Sequence, residues 1–259
     1  MTKNDEYRPP FNITPKIIEL ISQISKKVEE INAFENNQPN IELRRENRIK
    51  TIHSSLAIES NTLSLEQVTA IDNGKLVLGT PKEIQEVKNS IATYEHLLEF
   101  DPYSQADLLD AHRLMMCGLV NESGKYRSGA VGIFDGNRVI HVAPPAKRIP
   151  TLMSDLFNWL KTSTAHPLVK SCVFHYEFEF IHPFQDGNGR IGRLWQTVIL
   201  KNWKEIFAWL PVETLVKENQ KKYYDALGTS DKDADSTKFI ELMLELILKT
   251  IENLHIDKK

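Results

Sequence analysis

Twelve consecutive residues, His182-Pro183-Phe184-Gln185-Asp186-Gly187-Asn188-Gly189-Arg190-Ile191-Gly192-Arg193, concentrate side chains that do chemistry. Gly187-Asn188-Gly189 is flexible enough to turn consecutive backbone N–H groups inward as an anion nest, and the apolar positions after it suit a helix whose N-terminus adds partial positive charge. A phosphate fits that place. Arg190 and Arg193, three residues apart, share a face of that helix, where planar guanidinium groups can hold two further phosphates. Asp186 is a hard oxygen ligand beside them, as Mg²⁺ requires. His182 is the one side chain of the run that takes a proton near neutral pH. The set points to transfer of a phosphorus-containing group from a nucleotide to a hydroxyl.

The run resembles the Fic family motif, His-x-Phe-x-(Asp or Glu)-Gly-Asn-Gly-Arg-x-x-Arg, at every defined position. The resemblance implies an all-α, Fic-type helical bundle with one β-hairpin flap. It implies a protein adenylyltransferase, which moves AMP from ATP to a Ser, Thr or Tyr hydroxyl of a target protein. His182 is then the general base, Asp186 the Mg²⁺ ligand, and Gly187, Asn188, Gly189, Arg190 and Arg193 the phosphate site. ATP is the substrate and Mg²⁺ the cofactor.

Upstream, Ser54-Ser55-Leu56-Ala57-Ile58-Glu59-Ser60-Asn61 resembles the family's inhibitory helix, (Ser or Thr)-x-x-x-Glu-(Gly or Asn), with Ser60 standing where Gly or Asn is usual. Ser55 and Glu59 share a face. A Glu59 carboxylate paired with Arg193 would occupy the arginine that the terminal phosphate needs, so inhibition is expected within one chain. Glu59 could instead align a water for removal of AMP, and a nucleotide-sensing module without transfer is a third reading. Relatives of this motif also use other phosphate donors.

The elements that must position these groups are helical by pattern. Thr14-Pro15 opens a helix with Ile17, Ile21, Ile24, Val28 and Ile31 in one stripe, and a second helix runs from near Asn40 to Ser60-Asn61. Ser64 with Gln67, and Thr80-Pro81 with Glu83, make two capping boxes. The second of these starts a helix striped with Ile84, Val87, Ile91, Tyr94 and Leu98; the next runs from Ser104 to about Leu119, with His112 as a packing or surface residue. Ala130 to Val142 has strand character around Asp135-Gly136-Asn137, a tight-hairpin signal. With Gly124-Lys125-Tyr126-Arg127 before it and Pro144-Pro145 after, this stretch resembles the Fic flap, which would pair with an extended target segment and place Val139, Ile140, His141 and Val142 beside the nucleotide. Helices from about Ile149 to Lys161 and from Pro167 to His182 deliver the motif. After Pro211 a helix carries Tyr223 and Tyr224, where the family contacts the nucleoside; a polar loop over 228–236 and a last helix over 237–254 follow.

With 259 residues, 41% apolar, 26% charged and a net charge of −3, the chain reads as an ordinary globular protein without a nucleic-acid-coating surface. Residues 1–75 form an N-terminal segment with the inhibitory helix, 76–230 the catalytic core and 231–259 a closing helix. Cys117 and Cys172 are expected as buried, reduced thiols. The polar, acid-containing amino terminus and the charges at Glu241, Glu245 and Lys249 argue against a signal peptide and a membrane span, and for a cytoplasmic protein. The expected partner is a protein target, itself included; a homo-oligomer stays open.

Overall fold

The helix starts are set by local chemistry. The computed structural model describes residues 7–35, 41–135 and 138–254; the side chains of residues 32–35, 132–135 and 138–141 also lie outside the described set. Thr14 caps α1 (Pro15–Glu35), its Oγ1 accepting from Ile17 N at 3.2 Å. α2 (Ile41–Ile58) follows. Both reciprocal capping boxes form, Ser64 with Gln67 at α3 (Leu65–Asp72) and Thr80 with Glu83 at α4 (Pro81–Glu95). Ser104 caps α5 (Gln105–Met115). A two-stranded antiparallel hairpin, β1 (Gly132–Asp135) with β2 (Arg138–Val142), has an irregularity between Ile133 and Phe134. Gly136 and Asn137, at its turn, lie outside the described residues.

Among the described residues that follow, the α-helices are α6 (Ile149–Thr162), α7 (Pro167–Ile181), α8 (Asn188–Trp203), α9 (Val212–Glu218), α10 (Gln220–Asp233) and α11 (Thr237–Glu252). α7 and α8 form the central pair, joined by the motif loop over 182–187. α7 is apolar on nearly every side, which a helix tolerates only at the middle of a bundle; Phe174 and Phe178 from it, with Phe184 and Trp195, are among the largest fully buried side chains. α6 and α11 cover α7, α1 lies along α11, and α2 packs on α9. One cluster of buried apolar residues runs from Ile17 to Ile251, so the motif loop rests on the core of the whole bundle. Among the described residues no helix is long and apolar enough to cross a membrane.

Several expectations are corrected. The helix after Pro211 is two, because Asn219 turns its side chain back onto the Leu215 carbonyl at 2.9 Å, the competition that makes Asn a helix ender. α10 then carries Gly228 within it, where a loop was expected, and stops at left-handed Ala234. α4 ends at Glu95, so Leu98 is exposed, and α5 stops at Met115, short of Leu119. In α1 Leu20 is buried while Ile21 is only partly so. Cys117 is exposed; Cys172 is buried.

Glu213 on α9 is 3% exposed; Tyr94 OH donates to its Oε1 at 3.5 Å, and its Oε2 has no hydrogen bond among the described residues. Burial pushes this carboxyl up to about 7 from the ordinary 4.5. Because the folded value is the higher, its contribution to stability is full below about 4.5 and is lost as pH rises through about 7. Glu213→Gln is therefore expected to change the melting temperature little at pH 5 and to raise it at pH 8; a destabilisation that grows toward pH 8 would contradict this.

Candidate active site

α7 ends by turning left-handed at His182 (φ 50°, ψ 60°), a conformation that costs a non-glycine residue roughly 1–2 kcal/mol. Arg127 holds the turn. Its Nε donates to His182 O at 2.7 Å and Nη1 to Gly129 O at 2.7 Å, while Nη2 donates both to Pro144 O at 2.6 Å and to Ile181 O at 3.4 Å. A cation thus caps the negative end of α7 and ties it to both segments flanking the hairpin. The His182 side chain is partly buried, with Nδ1 4.0 Å from Glu179 Oε2, so of the acids before the motif it is Glu179 that faces it. A carboxylate beside Nδ1 favours the tautomer in which Nε2 is the basic nitrogen. His175 takes no such part: Nδ1 donates to Gln196 Oε1 at 2.7 Å, Nε2 pairs with Tyr223 OH at 3.0 Å, and burial pushes it down to about 3.

The loop itself is braced from inside. Asn188 spans it, Oδ1 accepting from Phe184 N and Nδ2 donating to Phe184 O, both at 2.9 Å. The Asn188 side chain is thus spent on the loop's own backbone. His112, expected as a packing or surface residue, is buried and stacks on Phe184 with ring centroids 3.7 Å apart. Gly124 N–H donates to its Nδ1 at 2.8 Å, so Nε2 carries the proton and donates to Asp186 O at 3.0 Å. Burial pushes this imidazole down to about 4, which keeps the neutral tautomer that both bonds need.

α8 begins at Asn188, after left-handed Gly187 (φ 85°), where an added Cβ would strike Met116. The first N–H groups of α8 have no partner within the helix, the arrangement that suits an anion at a helix N-terminus. Gly187 N–H is an exception, since it donates to Asp186 Oδ1 at 2.6 Å. The Asp186 side chain is 53% exposed and also accepts from Arg190 Nη2 at 3.2 Å. Among the described residues no three His, Cys, Asp or Glu side chains cluster for a metal. One exposed carboxylate beside a phosphate seat is nonetheless the donor set Mg²⁺ commonly uses, with nucleotide phosphates and waters completing the shell.

Arg193 is 3% exposed, and the end of α2 supplies its partners. Nε donates to Ser55 Oγ at 3.1 Å; Nη2 donates to Ser55 O at 3.0 Å and to Glu59 Oε1 at 2.8 Å. Burial works against the guanidinium charge, and Glu59 together with the surrounding Tyr223 and Glu179 more than offsets it, so Arg193 stays protonated. The α2 end is a Schellman turn: Ser60 N bonds Ala57 O and Asn61 N bonds Leu56 O, both at 3.1 Å, with Ser60 left-handed (φ 68°). That geometry sets the direction of Glu59. A Cβ added to Gly189 would overlap the Glu59 carboxylate, so this acid lies against the N-terminus of α8.

Of the remaining expected residues, Val139, Ile140 and His141 have side chains outside the described set, and Val142 is exposed at the end of β2. Tyr223 is corrected: its ring is 1% exposed, packed on His175 and Phe239, and offers no face to a ligand, whereas Tyr224 is 48% exposed. Sequence reasoning gave no site role to His112, and named Arg127 only as part of the flap border; each acts through distant backbone carbonyls, for which a sequence carries no periodic signal.

A helical bundle with this loop and anion seat defines a class, and comparison with known proteins agrees. Residues 102–200 match the model of the Fic/DOC family. A Fic family protein from Desulfovibrio desulfuricans G20, known from its crystal structure, is 52% identical and superposes with a TM-score of 0.92, over 97% of this chain and 79% of that one. A protein adenylyltransferase Fic of Aedes aegypti is 28% identical over 222 residues, covering 80% of this chain and 42% of that protein; protein adenylyltransferase fic-1 of Caenorhabditis elegans is 29% identical over 232 residues, 82% and 44% respectively. The chain belongs to the Fic family. It spans less than half the length of these curated relatives.

The Schellman turn yields a test. Ser60→Gly removes the left-handed strain at an unburied position, partly offset by the greater freedom of glycine in the unfolded chain, and is expected to raise stability by about 0.5–1 kcal/mol in denaturant melts. A loss of stability would show that Ser60 makes a contact that outweighs its backbone strain.

Proposed function

We propose that this chain is a protein adenylyltransferase whose own Glu59 restrains it. The observation that carries the reading is the Arg193–Glu59 pair at 2.8 Å, with the Glu59 carboxylate lying against Gly189 at the start of α8. A site that accepts a carboxylate between a buried guanidinium and a helix N-terminus is built for an anion, and the γ-phosphate of ATP is the anion this motif would take.

In the productive arrangement the backbone N–H groups at the start of α8 hold phosphate oxygens, and Arg190 and Arg193 neutralise the β- and γ-groups. Asp186 would hold Mg²⁺, which supplies charge neutralisation at the phosphates when bound. His182 Nε2 takes the proton of a Ser, Thr or Tyr hydroxyl; the hydroxyl oxygen bonds to the α-phosphorus as the bond between that phosphorus and the bridging oxygen breaks, and pyrophosphate departs with that oxygen. The enzyme's share is positioning and charge stabilisation. The β2 edge would carry the target segment in extended form, and Tyr224 is the aromatic ring open to the nucleoside. A target protein, and this protein itself as a target, both fit.

The 31% exposure of the Glu59 side chain lets water reach it, and this favours a second reading, removal of AMP with Glu59 aligning the attacking water. The two diverge on one substitution. With Mg²⁺ and α-labelled ATP, Glu59→Gly is expected to increase labelling of itself or of a lysate protein by about ten- to a hundredfold over wild type, the equivalent of the ~1.5–3 kcal/mol held in a charge-assisted hydrogen bond. His182→Ala added to it should abolish the label. A Glu59→Gly protein that binds ATP and labels nothing would overturn the transferase reading; loss of AMP release from a modified target in the same variant would support the second.

A further inference from the structure

Arg190 is bound differently from Arg193, and the difference leads back to α2. Its guanidinium is 4% exposed, yet only Nη2 makes a hydrogen bond, to Asp186 Oδ1 at 3.2 Å; Nε and Nη1 make none among the described residues. Glu86 of α4, itself buried, places Oε1 3.5 Å from Nη1. The other oxygen of Glu86, Oε2, accepts from Asn61 Nδ2 at 2.8 Å. Asn61 is fixed in turn: Nδ2 also donates to Glu83 O at 3.2 Å, Oδ1 accepts from Leu63 N at 3.1 Å, and its own N–H closes the Schellman turn of α2 on Leu56 O. Lys82, 4.0 Å from Glu86 Oε1, is largely exposed and adds little.

We propose that Glu86 is a positioning residue for Arg190, and that Asn61 ties its placement to the end of α2, so that one segment governs both motif arginines. Glu59 acts on Arg193 directly, and Asn61, two residues on, acts on Arg190 through Glu86. Positioning rather than competition follows from the geometry. An ion pair at 3.5 Å without a hydrogen bond steadies the guanidinium and compensates its buried charge, while leaving the Nε and Nη1 hydrogens uncommitted. A competitor would consume those donors, as Glu59 consumes one of Arg193. Asn61 is also the polar residue that the sequence sets one place beyond the usual Gly or Asn; with Ser60 making the left-handed turn, the amide is free to reach Glu86.

This inference rests on the proposed nucleotide site, and its test reads binding rather than transfer. In the Glu59→Gly protein with Mg²⁺, the affinities for ATP and for AMP are measured by calorimetry, with Glu86→Gln, Asn61→Ala and both together; Asn61→Asp, similar in shape and repelled by Glu86, replaces Asn61→Ala if the latter melts early. Glu86→Gln is expected to weaken ATP by about three- to tenfold with AMP, which lacks the β- and γ-phosphates, unchanged. Asn61→Ala should weaken ATP by a smaller factor, and the double variant no more than Glu86→Gln alone, because Asn61 acts through Glu86. Tighter ATP binding by Glu86→Gln, additive losses, or equal losses for ATP and AMP would each overturn it. If the Glu59→Gly parent binds ATP and the variants do not shift, this inference alone falls; if the parent binds no ATP, the proposed function falls with it.

Discussion

A buried guanidinium must have partners, and in this protein the choice of partner for Arg193 organises the site. Burying a charge without compensation costs several kcal/mol, so Arg193 cannot sit in the bundle unattended. It is met by the end of α2: the Ser55 carbonyl, the Ser55 hydroxyl and the Glu59 carboxylate. The arrangement solves a problem on both sides. An acid at a helix C-terminus is repelled by the macrodipole, and the last carbonyls of a helix lack intrahelical donors. Arg193 relieves both, so α2 and α8 each complete what the other leaves unsatisfied.

The same arginine is the phosphate ligand that the motif would need. Under the proposed function Glu59 would not block the site as a bulky lid does; it would substitute one anion for another at a seat formed by a guanidinium and a helix N-terminus. The Glu59 side chain is 31% exposed and so open to water, while Arg193 is buried. Around this exchange the rest of the loop is fixed by bonds that do not change partner. Asn188 braces Phe184, His112 holds the Asp186 carbonyl and the Phe184 ring, and Arg127 secures the left-handed turn at His182.

How far the sequence disclosed this depended on whether the information was local. The motif could be read because its chemistry is packed into twelve residues, and the capping boxes at Ser64 and Thr80 because each is complete within four. The Ser55 and Glu59 pair could be paired with Arg193 only through the family resemblance, since nothing within residues 54–61 names a partner more than a hundred residues away. The roles of His112, Arg127 and Glu86 escaped because the contacts that define them, to the Asp186 carbonyl, the His182 carbonyl and the Arg190 guanidinium, join residues far apart in the chain, and no periodicity marks such contacts. Asn188 and Tyr223 have residue types suited to a ligand, but their side-chain polar atoms are taken by Phe184 and His175 inside the fold. The break at Asn219 turned on one side chain competing for one carbonyl, a balance that helical patterning over the same stretch does not resolve.

The most direct test of the exchange compares ATP with ADP, which differ by the phosphate that Arg193 would receive. If Glu59 holds that seat, wild-type protein binds the two nucleotides equally to within about twofold, and Glu59→Gly prefers ATP by about tenfold, the ~1.4 kcal/mol expected of one recovered charge-assisted contact. Wild-type protein that already prefers ATP as strongly as the variant does would contradict the account.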